Sequence, residues 1–537
     1  MPDALTALGR MQTLWAPRAS QIARSEIAKF IASVGGSVVD YKSFHAWSAS
    51  DIEGFWGSLW DYARIIGSRG SETIRRDPSG DPGLTLFFPG ARLNVAENLL
   101  RDPGDRIAAC YLDAGGGNAP LTIDDLRLQV ARVCDGLVQS GIGPGDVVVS
   151  TLPGGQERLI AYLACLARGA AWAQIPDDTT ADEAANLIAG VNGKILFADA
   201  SCAALISAAA GLEAQPGNET AQLACLVAVG EPLPGPSKWP IRAWDSFGDA
   251  GAELEFQRIA FNDPAVILFE DVAGVPESVT HSAGGLLITH LKEHRLHGDV
   301  KKGDIVLSMN VSDPRLWLWQ ISVMASGAVA AFLDGGSSAS FNELRSATER
   351  LQATHLILDP ATMNKPGDAL AAQLSLPDSL RVLFLADEVH DTTFFDRIYT
   401  EVVDDIMLCP MAGSPRFLAN FFAGSPLHPV RRGEYSALAL GMALHVLDNG
   451  GRPVVAKTGE LVCCEAFPTM PKARPFGEHG TMSGGLPIGR RAQITCYGSG
   501  VLSPPARDGG SQVQQQRTHV KTKQSDAASV AVPAARV

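Results

Sequence analysis

The 537-residue sequence predicts an α/β fold built around a mostly parallel sheet with helices on both faces. Short, continuous apolar runs alternate with helical stretches from about residue 105 onward. Strands that are apolar on both sides are typical of parallel sheets, because helices cover both faces of such sheets. The hydrophobic fraction of 46% supports a sizeable core in a chain of this length.

Each predicted element follows from a local pattern of apolar residues. Before the alternation starts, Ser50 and Glu53 have capping-box spacing, and an aromatic-rich helical period runs on to a plausible stop at Gly67. Residues 122–140 have the period of an amphipathic helix. The sequence then predicts a strand at 146–152, a helix at 156–168, a strand at 170–176, and further strands in the runs KILFAD, LACLVAV, AVILF, HLILD and LRVLFLA.

Composition and charge exclude several classes of function. The net charge of −14 and the lack of a basic run with interleaved aromatics argue against nucleic-acid binding. The longest apolar runs, such as 437–447, are too short to span a bilayer, and the N-terminus has no pattern of a secretory signal. Nine cysteines without a Cys-x-x-Cys pair indicate reduced thiols, so we expect a cytoplasmic protein with no membrane partner.

The segment ILFEDVAGVPESVTHSAGG, residues 267–285, is the most informative candidate site. An apolar strand at 267–269 leads into a short loop that contains Gly274 and then toward a predicted helix. This placement is typical of a phosphate-binding loop, yet Glu270, Asp271 and Glu277 bring carboxylates to it. The residues alone leave two interpretations open: a site of another kind, or a phosphate loop that no longer binds phosphate.

An acidic cluster follows the predicted strand LRVLFLA. Its members are Asp387, Glu388, His390 and Asp391. The carboxyl ends of strands are where α/β sheets place ligands, so a metal site is one interpretation. Four residues so close in sequence cannot all face one ion, and we therefore favour a solvated turn.

Four histidines, beginning with His281, lie close together in the sequence. His290, His294 and His297 are spaced so that they fall on one face of a helix, and the first two could clamp a metal ion. No acidic third ligand accompanies them. An ordinary polar helix face is the favoured interpretation, and no metal is predicted.

Longer stretches carry a family resemblance. FFPGARLNVAENLL (87–100) closely resembles an N-terminal signature of acetoacetyl-CoA synthetases, in the acyl-adenylate-forming superfamily. The segments 47–62, 281–304 and 430–471 are similar to further parts of that family. Together the resemblance spans residues from about 15 to 471.

The resemblance implies a fold and a reaction. The fold is the large N-terminal lobe of the superfamily, with stacked α/β subdomains and a distorted β-barrel. The reaction is that of an acid–CoA ligase in lipid metabolism: a carboxylate attacks ATP to give an acyl-adenylate and pyrophosphate, and coenzyme A then takes the acyl group. The resemblance thus implies ATP, Mg²⁺ and coenzyme A as cofactors and a small carboxylic acid as substrate.

Matched to the family, residues 270–277 are a phosphate loop with altered chemistry. The family's loop is rich in Ser, Thr and Gly and ends in Pro-Lys, whereas here the hydroxyls are absent and Glu277 stands at the lysine position. Unit charges about 4 Å apart interact by about 4 kcal/mol at an effective dielectric constant near 20, so this exchange strongly disfavours phosphate. A Mg²⁺ bridge to Glu270 or Asp271 would offset part of the effect.

Other turns that contact nucleotide in the family also depart from its pattern. A Gly-Gly-Thr-Asp turn falls on Gly413, Ser414, Pro415 and Arg416, and a Gly-Ser-Pro turn falls on Asp387, Glu388 and Val389. Proline lacks both the hydroxyl and the amide donor of threonine. In the acyl-pocket region, Trp317 and Trp319 match the family, although its Gly-Trp pair is replaced by Asp313-Pro314.

These matches, together with the Ser-, Gln-, Pro- and Ala-rich composition of the C-terminal stretch, predict the domain boundaries. Residues 1–104 form an N-terminal helical cap region, 105–475 an AMP-binding-like α/β core, 476–502 a hinge remnant and 503–537 a disordered tail. The family's C-terminal lobe, which carries a catalytic lysine, needs on the order of a hundred residues, and we expect it to be missing.

Three functions remain open from the sequence. The first is a catalytically degenerate relative of acetoacetyl-CoA synthetase, a pseudoenzyme that binds a small acid or a protein partner. The second is an active adenylating enzyme or acid–CoA ligase with rebuilt ATP contacts. The third is a non-catalytic scaffold. The sequence assigns no catalytic residue.

Overall fold

A computed structural model of the chain describes most of the residues between Thr13 and Pro471. The described residues are 13–35, 40–78, 82–113, 117–202, 204–206, 208, 223–233, 237, 239–272, 275–309, 313–334, 341–358, 377–386, 392–402, 405–432, 434–448, 452 and 460–471. The predicted hinge remnant and tail lie outside these residues.

The N-terminal part of the chain is mainly helical. Its helices are α1 (Ala19–Arg24), α2 (Glu26–Ser33), α3 (Tyr41–Ser50), α4 (Ile52–Ala63) and α5 (Val95–Leu99). Its short strands are β1 (Thr13–Trp15), β2 (Gly67–Ser68), β3 (Ile74–Arg75), β4 (Leu86–Phe87) and β5 (Arg92–Leu93). The aromatic face of α4 is buried, with Phe55 and Trp56 fully enclosed, as its helical period predicts.

Both ends of α4 differ from the sequence prediction. Asp51, not Ser50, is the N-cap, and its carboxylate accepts a backbone hydrogen bond from the first turn at 3.0 Å. Ser50 instead is the last residue of α3. The helix ends at Ala63 because Arg64 adopts a left-handed conformation, with φ at 52°, so the predicted stop at Gly67 was wrong.

The middle of the chain alternates strands and helices. Its elements are β6 (Ile107–Leu112), β7 (Asn118–Thr122), α6 (Ile123–Gln139), β8 (Val147–Ser150), α7 (Gln156–Ala167), β9 (Ala171–Gln174), α8 (Ala181–Gly190), β10 (Gly193–Ala198), β11 (Cys225–Ala228), β12 (Ile241–Ala243), β13 (Ile259–Ala260), β14 (Pro264–Val272) and β15 (Val275–Ser282). The helix predicted at 122–140 is confirmed, with Thr122 as its N-cap.

The alternation continues to the last described residues. The elements are α9 (Ala283–Lys292), which a π-helical turn (Glu293–His297) prolongs, β16 (Ile305–Met309), α10 (Pro314–Ile321), β17 (Val329–Leu333), α11 (Phe341–Leu351), β18 (His355–Leu358), β19 (Val382–Ala386), α12 (Thr392–Arg397), β20 (Met407–Ser414), β21 (Ala419–Ala423), β22 (Val430–Arg431), β23 (Ala437–Leu438), β24 (Leu444–Leu447) and β25 (Glu460–Cys463). Each apolar run that predicts a strand contains one.

Two large sheets organise the molecule. The first has the order β12-β11-β10-β8-β9-β14-β15 and is parallel except for the β14–β15 pair. The second has the order β23-β21-β20-β19-β18-β16-β17-β6-β7 and is parallel from β20 to β6. The α/β class is therefore confirmed, with two mostly parallel sheets.

Successive residues of the central strands bury opposite faces of the first sheet. Val148 on β8 belongs to the main hydrophobic core, whereas Val147 and Val149 belong to a second apolar cluster. Neighbouring strands divide their residues in the same way, because side chains alternate across a strand. This arrangement explains why the strands are continuous apolar runs in the sequence.

Within the described part of the chain, no helix combines the length and apolar character that crossing a bilayer requires.

Candidate functional site

The segment predicted as a phosphate loop is a β-hairpin. The strand predicted at 267–269 extends to Val272, and β15 returns antiparallel to it, with Glu270 opposite Glu277 and Asp271 opposite Pro276. Gly274 lies outside the described residues. The helix after the loop begins only at Ala283, so the direct passage from loop to helix expected from the sequence was wrong.

The hairpin extends this far because its second strand has a buried partner. Val279 and Thr280 are β-branched and almost fully buried, and they pair with Leu268 and Ile267 on β14. Ladder hydrogen bonds and burial together favour strand over helix until Ser282, which caps α9 by accepting a hydrogen bond from its first turn.

Arg416 lies between the two glutamates of the hairpin. It follows β20 in a short 3₁₀ turn (Pro415–Phe417), and its Nη1 lies 3.3 Å from Glu277 Oε2 and 3.6 Å from Glu270 Oε2. The side chains of Arg416 and Glu270 are only 15% and 16% exposed, whereas that of Glu277 is 38% exposed. We call these three residues the hairpin site.

Burial and ion pairing oppose each other at Glu270. Burial raises the pKa of its carboxyl, while the positive charges of Arg416 and Arg315 lower that pKa in part. The second carboxylate oxygen, Oε1, is buried and has no hydrogen-bond partner. In the hairpin site, two carboxylates therefore share one guanidinium, and the formal charge of the three groups together is −1. Most of the polar atoms that a ligand would meet there are hydrogen-bond acceptors.

Gly413 has a structural reason to be glycine. A Cβ atom at this position would lie 2.1 Å from the carbonyl oxygen of Ala419 and 2.8 Å from Cα of Asn420, on the neighbouring strand β21. Ser414 pairs with Ala419 in the same ladder. Of the positions matched to a nucleotide-contacting turn, 413 and 414 thus pair with β21 and 415 begins the 3₁₀ turn. The side chain of Arg416 extends to the glutamates of the hairpin.

The acidic cluster predicted after LRVLFLA lies outside the described residues. This applies to Asp387 and Glu388, which follow β19, and to His390 and Asp391. Among the residues that the structure does describe, no group of three or more His, Cys, Asp or Glu side chains could hold a metal ion.

The four histidines are buried rather than exposed on a polar helix face. His290, His294 and His297 on α9 and its π-helical turn, and His281 before it, are each at most 1% exposed. Burial lowers the pKa of all four, to about 4 for His281 and about 3 for His290 and His297. The predicted polar face was wrong because this helix packs between other elements, and its imidazoles are neutral core residues.

The two matched tryptophans belong to different surroundings. Trp319 donates from Nε1 to Glu293 Oε2 at 2.9 Å, and Glu293 also accepts hydrogen bonds from the backbone and side chain of Asn420. Trp317 lies on the other side of α10, where the guanidinium of Arg158 stacks 4.2 Å from the centre of its ring. Trp319 thus supports the fold, whereas Trp317 borders a second cluster of polar groups.

That second cluster, which we call the Arg158 cluster, consists of Arg158, Tyr111, Tyr162 and Trp317. Arg158 and Tyr162 share one face of α7 because they are four residues apart. The Tyr162 ring packs edge-on against Trp317, with ring centres 5.4 Å apart. Sequence reasoning missed this cluster, although an arginine within the apolar helix sequence QERLIAYLACLA was a usable signal.

The hairpin site and the Arg158 cluster are linked through the start of α10. Arg315 forms an ion pair with Asp313, with Nη2 and Oδ2 at 2.8 Å, and its charge also acts on Glu270. Asp313 in turn acts electrostatically on Arg158. Charged residues from both sheets therefore meet at the carboxyl ends of their strands, where α/β folds bind ligands.

The chain matches known proteins over most of its length. The AMP-binding enzyme family matches residues 95–465. An acetoacetyl-coenzyme A synthetase of Rhizobium meliloti (strain 1021) is 31% identical over 482 residues, which cover 85% of this chain and 72% of the relative. An acetoacetyl-CoA synthetase of Macaca fascicularis is 26% identical over 498 residues, which cover 86% and 71%.

A solved structure shares the fold. The acetoacetyl-CoA synthetase from Streptomyces lividans superimposes with a TM-score of 0.75 at 24% identity, over 87% of this chain and 74% of that one. The protein therefore belongs to the AMP-binding enzyme family. Within that family it is an acetoacetyl-CoA synthetase-like member of the acid–CoA ligases, and its α/β fold corresponds to their N-terminal lobe.

Proposed function

We propose that this protein is an acetoacetyl-CoA synthetase-like pseudoenzyme that does not carry out ATP-dependent adenylation. The observation that carries the proposal is the hairpin site, in which Glu270 and Glu277 share Arg416. This site occupies the position that the family resemblance assigns to the phosphate loop.

The chemistry of the hairpin site opposes a polyphosphate. Adenylation requires several negative phosphate oxygens to be held by cations and by backbone or hydroxyl donors. Here the two carboxylates repel phosphate, and the one guanidinium between them already has two anionic partners. ATP would have to displace both glutamates from Arg416 and leave Glu270 partly buried without its cation.

The direct test is acetoacetate-dependent release of pyrophosphate from Mg-ATP. We expect the purified chain to release none above background, while the acetoacetyl-CoA synthetase of Rhizobium meliloti, assayed alongside, serves as the positive control. Release that requires acetoacetate and is lost in Arg416→Met would contradict the proposal.

A second candidate is an active adenylating enzyme with rebuilt ATP contacts. The observation in its favour is Arg416 itself, which brings a positive charge to the hairpin where Glu277 has replaced lysine. In this case Arg416 would leave the glutamates when ATP binds, and Glu270 or Asp271 would hold Mg²⁺. Tight Mg-ATP binding that Arg416→Met abolishes would distinguish this candidate from the pseudoenzyme.

We also infer that the protein resides in a reducing compartment, the cytoplasm. None of the cysteines in the described part of the chain forms a disulfide, and seven of them are buried. Fractionation of cells that express the tagged chain tests this inference, and recovery outside the cytoplasmic fraction would refute it.

A further inference from the structure

Arg106 is a partly buried cation that leaves most of its hydrogen-bonding capacity unused. Its Nη1 atom donates to the carbonyl oxygen of Gly327 at 3.2 Å. Its Nε and Nη2 atoms are buried without any hydrogen-bond partner, and it forms no salt bridge with any residue that the structure describes. These two atoms form one edge of the guanidinium, and such an edge binds the oxygens of carboxylates or phosphates in pairs.

Binding to carbonyl groups explains the neighbouring Arg101 but not Arg106. Arg101 donates to the carbonyl oxygens of Ala63, Arg64 and Ala325, at 3.4, 2.6 and 3.2 Å. Its charge lies at the C-terminus of α4, where cations are favoured. Arg106 has one such contact, and burial lowers the pKa of its guanidinium. Its remaining donors therefore cost the fold free energy until an acceptor meets them.

Two further groups are placed beside this guanidinium. Ser326 stands between the carbonyl groups that Arg101 and Arg106 contact, and its Oγ atom is buried without a hydrogen-bond partner. The stem of Lys302 lies over Gly327, since a Cβ atom on this glycine would be 3.0 Å from Cγ of the lysine. The Arg106 cluster consists of Arg101, Asp102, Arg106, Lys302 and Ser326.

The Arg106 cluster has an excess of positive charge. Asp102 accepts a hydrogen bond from Lys302 at 3.1 Å. This bond and the charges of Arg101 and Arg106 lower the pKa of the Asp102 carboxyl, so it is ionised at neutral pH. Three cations and one carboxylate leave the cluster with a formal charge of +2. The cluster thus combines unused donors with positive charge that has no matching anion.

The Arg106 cluster lies at the amino edge of the second sheet. Arg106 directly precedes β6, Gly327 shortly precedes β17, and Lys302 shortly precedes β16. These three strands are neighbours in the order β16-β17-β6 and run parallel. The hairpin site and the Arg158 cluster lie at the opposite edge, at the carboxyl ends of the strands. The Arg106 cluster is therefore separate from both.

We propose that the Arg106 cluster binds a small tetrahedral oxyanion, of the class of inorganic phosphate or sulfate, with the Nε–Nη2 edge of Arg106 as its main contact. Two oxygens of such an anion match this edge, and the hydroxyl of Ser326 can donate to a third. The two negative charges of the anion balance the excess charge of the cluster. The inference goes beyond the proposed function and does not rest on it.

The burial of Arg106 favours a free anion over a phosphate ester. Because Nε and Nη2 are buried, the anion has to enter between side chains. Lys302 and Asp102 are the side chains that can give way, since they are 66% and 59% exposed. A substituent on the phosphate would hinder this entry. Glycerol phosphate is therefore expected to bind more weakly than inorganic phosphate.

The test measures binding of inorganic phosphate without nucleotide, by thermal shift and isothermal titration. We expect phosphate to raise the melting temperature of the wild-type chain, glycerol phosphate to raise it less, and chloride at equal ionic strength to have no effect. Arg106→Met should reduce the affinity for phosphate by about tenfold or more, because it removes a charge-assisted paired contact. Arg106→Lys should recover only part of this loss, since an ammonium group has no paired edge.

Two lysine variants separate a local contact from an effect of net charge. Lys302→Met and Lys42→Met each remove one exposed lysine and change the net charge equally, but only Lys302 belongs to the Arg106 cluster. Lys302→Met should weaken phosphate binding severalfold, whereas Lys42→Met should leave it unchanged.

Two arginine variants serve as further controls. Arg132 is also packed against the fold, where it donates to the carbonyl oxygens of Trp244 and Phe247. Arg132→Met should melt lower than wild type and keep the response to phosphate. Arg416→Met should keep this response as well, because the hairpin site lies at the other edge of the sheet.

Several results would overturn the inference. These are an unchanged affinity for phosphate in Arg106→Met, an equal response to chloride, or no response to phosphate in wild type. Tighter binding of glycerol phosphate would overturn the choice of a free anion. If Arg106→Met does not fold, the lysine variants decide, and equal affinities in the two would refute the proposal. Since no assay contains ATP or acetoacetate, failure here leaves the proposed loss of adenylation untouched.

Discussion

At the scale of single residues, Arg416 determines the state of the two hairpin glutamates. Without it, Glu270 and Glu277 would face each other across the antiparallel pair as like charges, which destabilises a sheet. The sequence predicts that Glu277 repels phosphate, because the family resemblance matches it to the lysine of the phosphate loop. It does not predict the partner, because Arg416 is 139 residues away and meets the hairpin only after both sheets have formed.

We predict that Arg416→Met lowers the free energy of unfolding by about 2 kcal/mol. The change leaves two unpaired carboxylates, one of them mostly buried, and the value is below that of a fully buried pair because Glu277 is partly exposed. Urea denaturation at neutral pH measures the loss. Adding Glu277→Gln to this variant should recover part of it, because one of the two like charges is removed.

A surface ion pair provides the control for this prediction. Arg258 and Glu97 are also close, at 2.7 Å, but Arg258 is 43% exposed. Arg258→Met should cost less than about 1 kcal/mol. Equal losses in the two arginine variants would show that the hairpin site is no more than a surface contact.

At the scale of elements, α9 and its π-helical turn depend on neutral histidines. His297 Nδ1 faces the carbonyl oxygen of Gly424 at 2.9 Å, and Nε2 faces the backbone N–H of Leu440 at 3.2 Å. These partners fix one neutral tautomer, with the proton on Nδ1 and an acceptor at Nε2. A second proton on Nε2 would point at the N–H of Leu440, so burial and geometry both disfavour the charged ring.

This arrangement predicts loss of stability in acid. The pKa of His297 is lowered from 6.5 to about 3 in the fold, so between these values the unfolded chain binds a proton that the folded chain does not. Stability is therefore retained above pH 6.5 and falls as the pH drops toward 3, by up to about 1.4 kcal/mol per pH unit for one histidine.

The variant His297→Gln tests the contribution of this one ring. Glutamine keeps a donor and an acceptor but does not titrate, so the variant should be less stable than wild type at pH 7, and the difference should narrow by pH 5. Urea denaturation at both pH values gives the comparison, with His445→Gln on an exposed residue as the control. A difference that stays constant with pH would show that His297 is not a neutral buried group.

Local patterns predicted α6 and the central strands because the residues that these elements bury are the same apolar residues whose spacing predicts the element. Thr122 lies at the start of an amphipathic period and caps the helix, as expected. The prediction failed where a neighbour in space decides the outcome. The start of α9 is delayed by the pairing of β15 with β14, and the histidines of α9 are buried by elements distant in sequence.

At the scale of the whole molecule, the sequence predicts the α/β class but not how the two sheets meet. Continuous apolar strands require cover on both faces, and the split of β8 between two cores confirms this. The Arg158 cluster could not be predicted as a unit, because its residues come from three elements in both sheets. Positions matched to family motifs indicated the hairpin site, whereas the Arg158 cluster emerges only from the assembled fold.

We proposed that the hairpin site, which stands where the family resemblance places a phosphate loop, does not bind the phosphates of ATP. Titration of Mg-ATP into wild type and Glu277→Lys tests this proposal most directly. Wild type should show no binding with a dissociation constant below about 1 mM. Glu277→Lys should bind Mg-ATP measurably, since it replaces a repulsive charge with an attractive one, while Glu253→Gln, a change at an exposed carboxylate, should behave as wild type. Micromolar binding by wild type that Glu277→Lys weakens would contradict the account, because Glu277 would then serve a working nucleotide site.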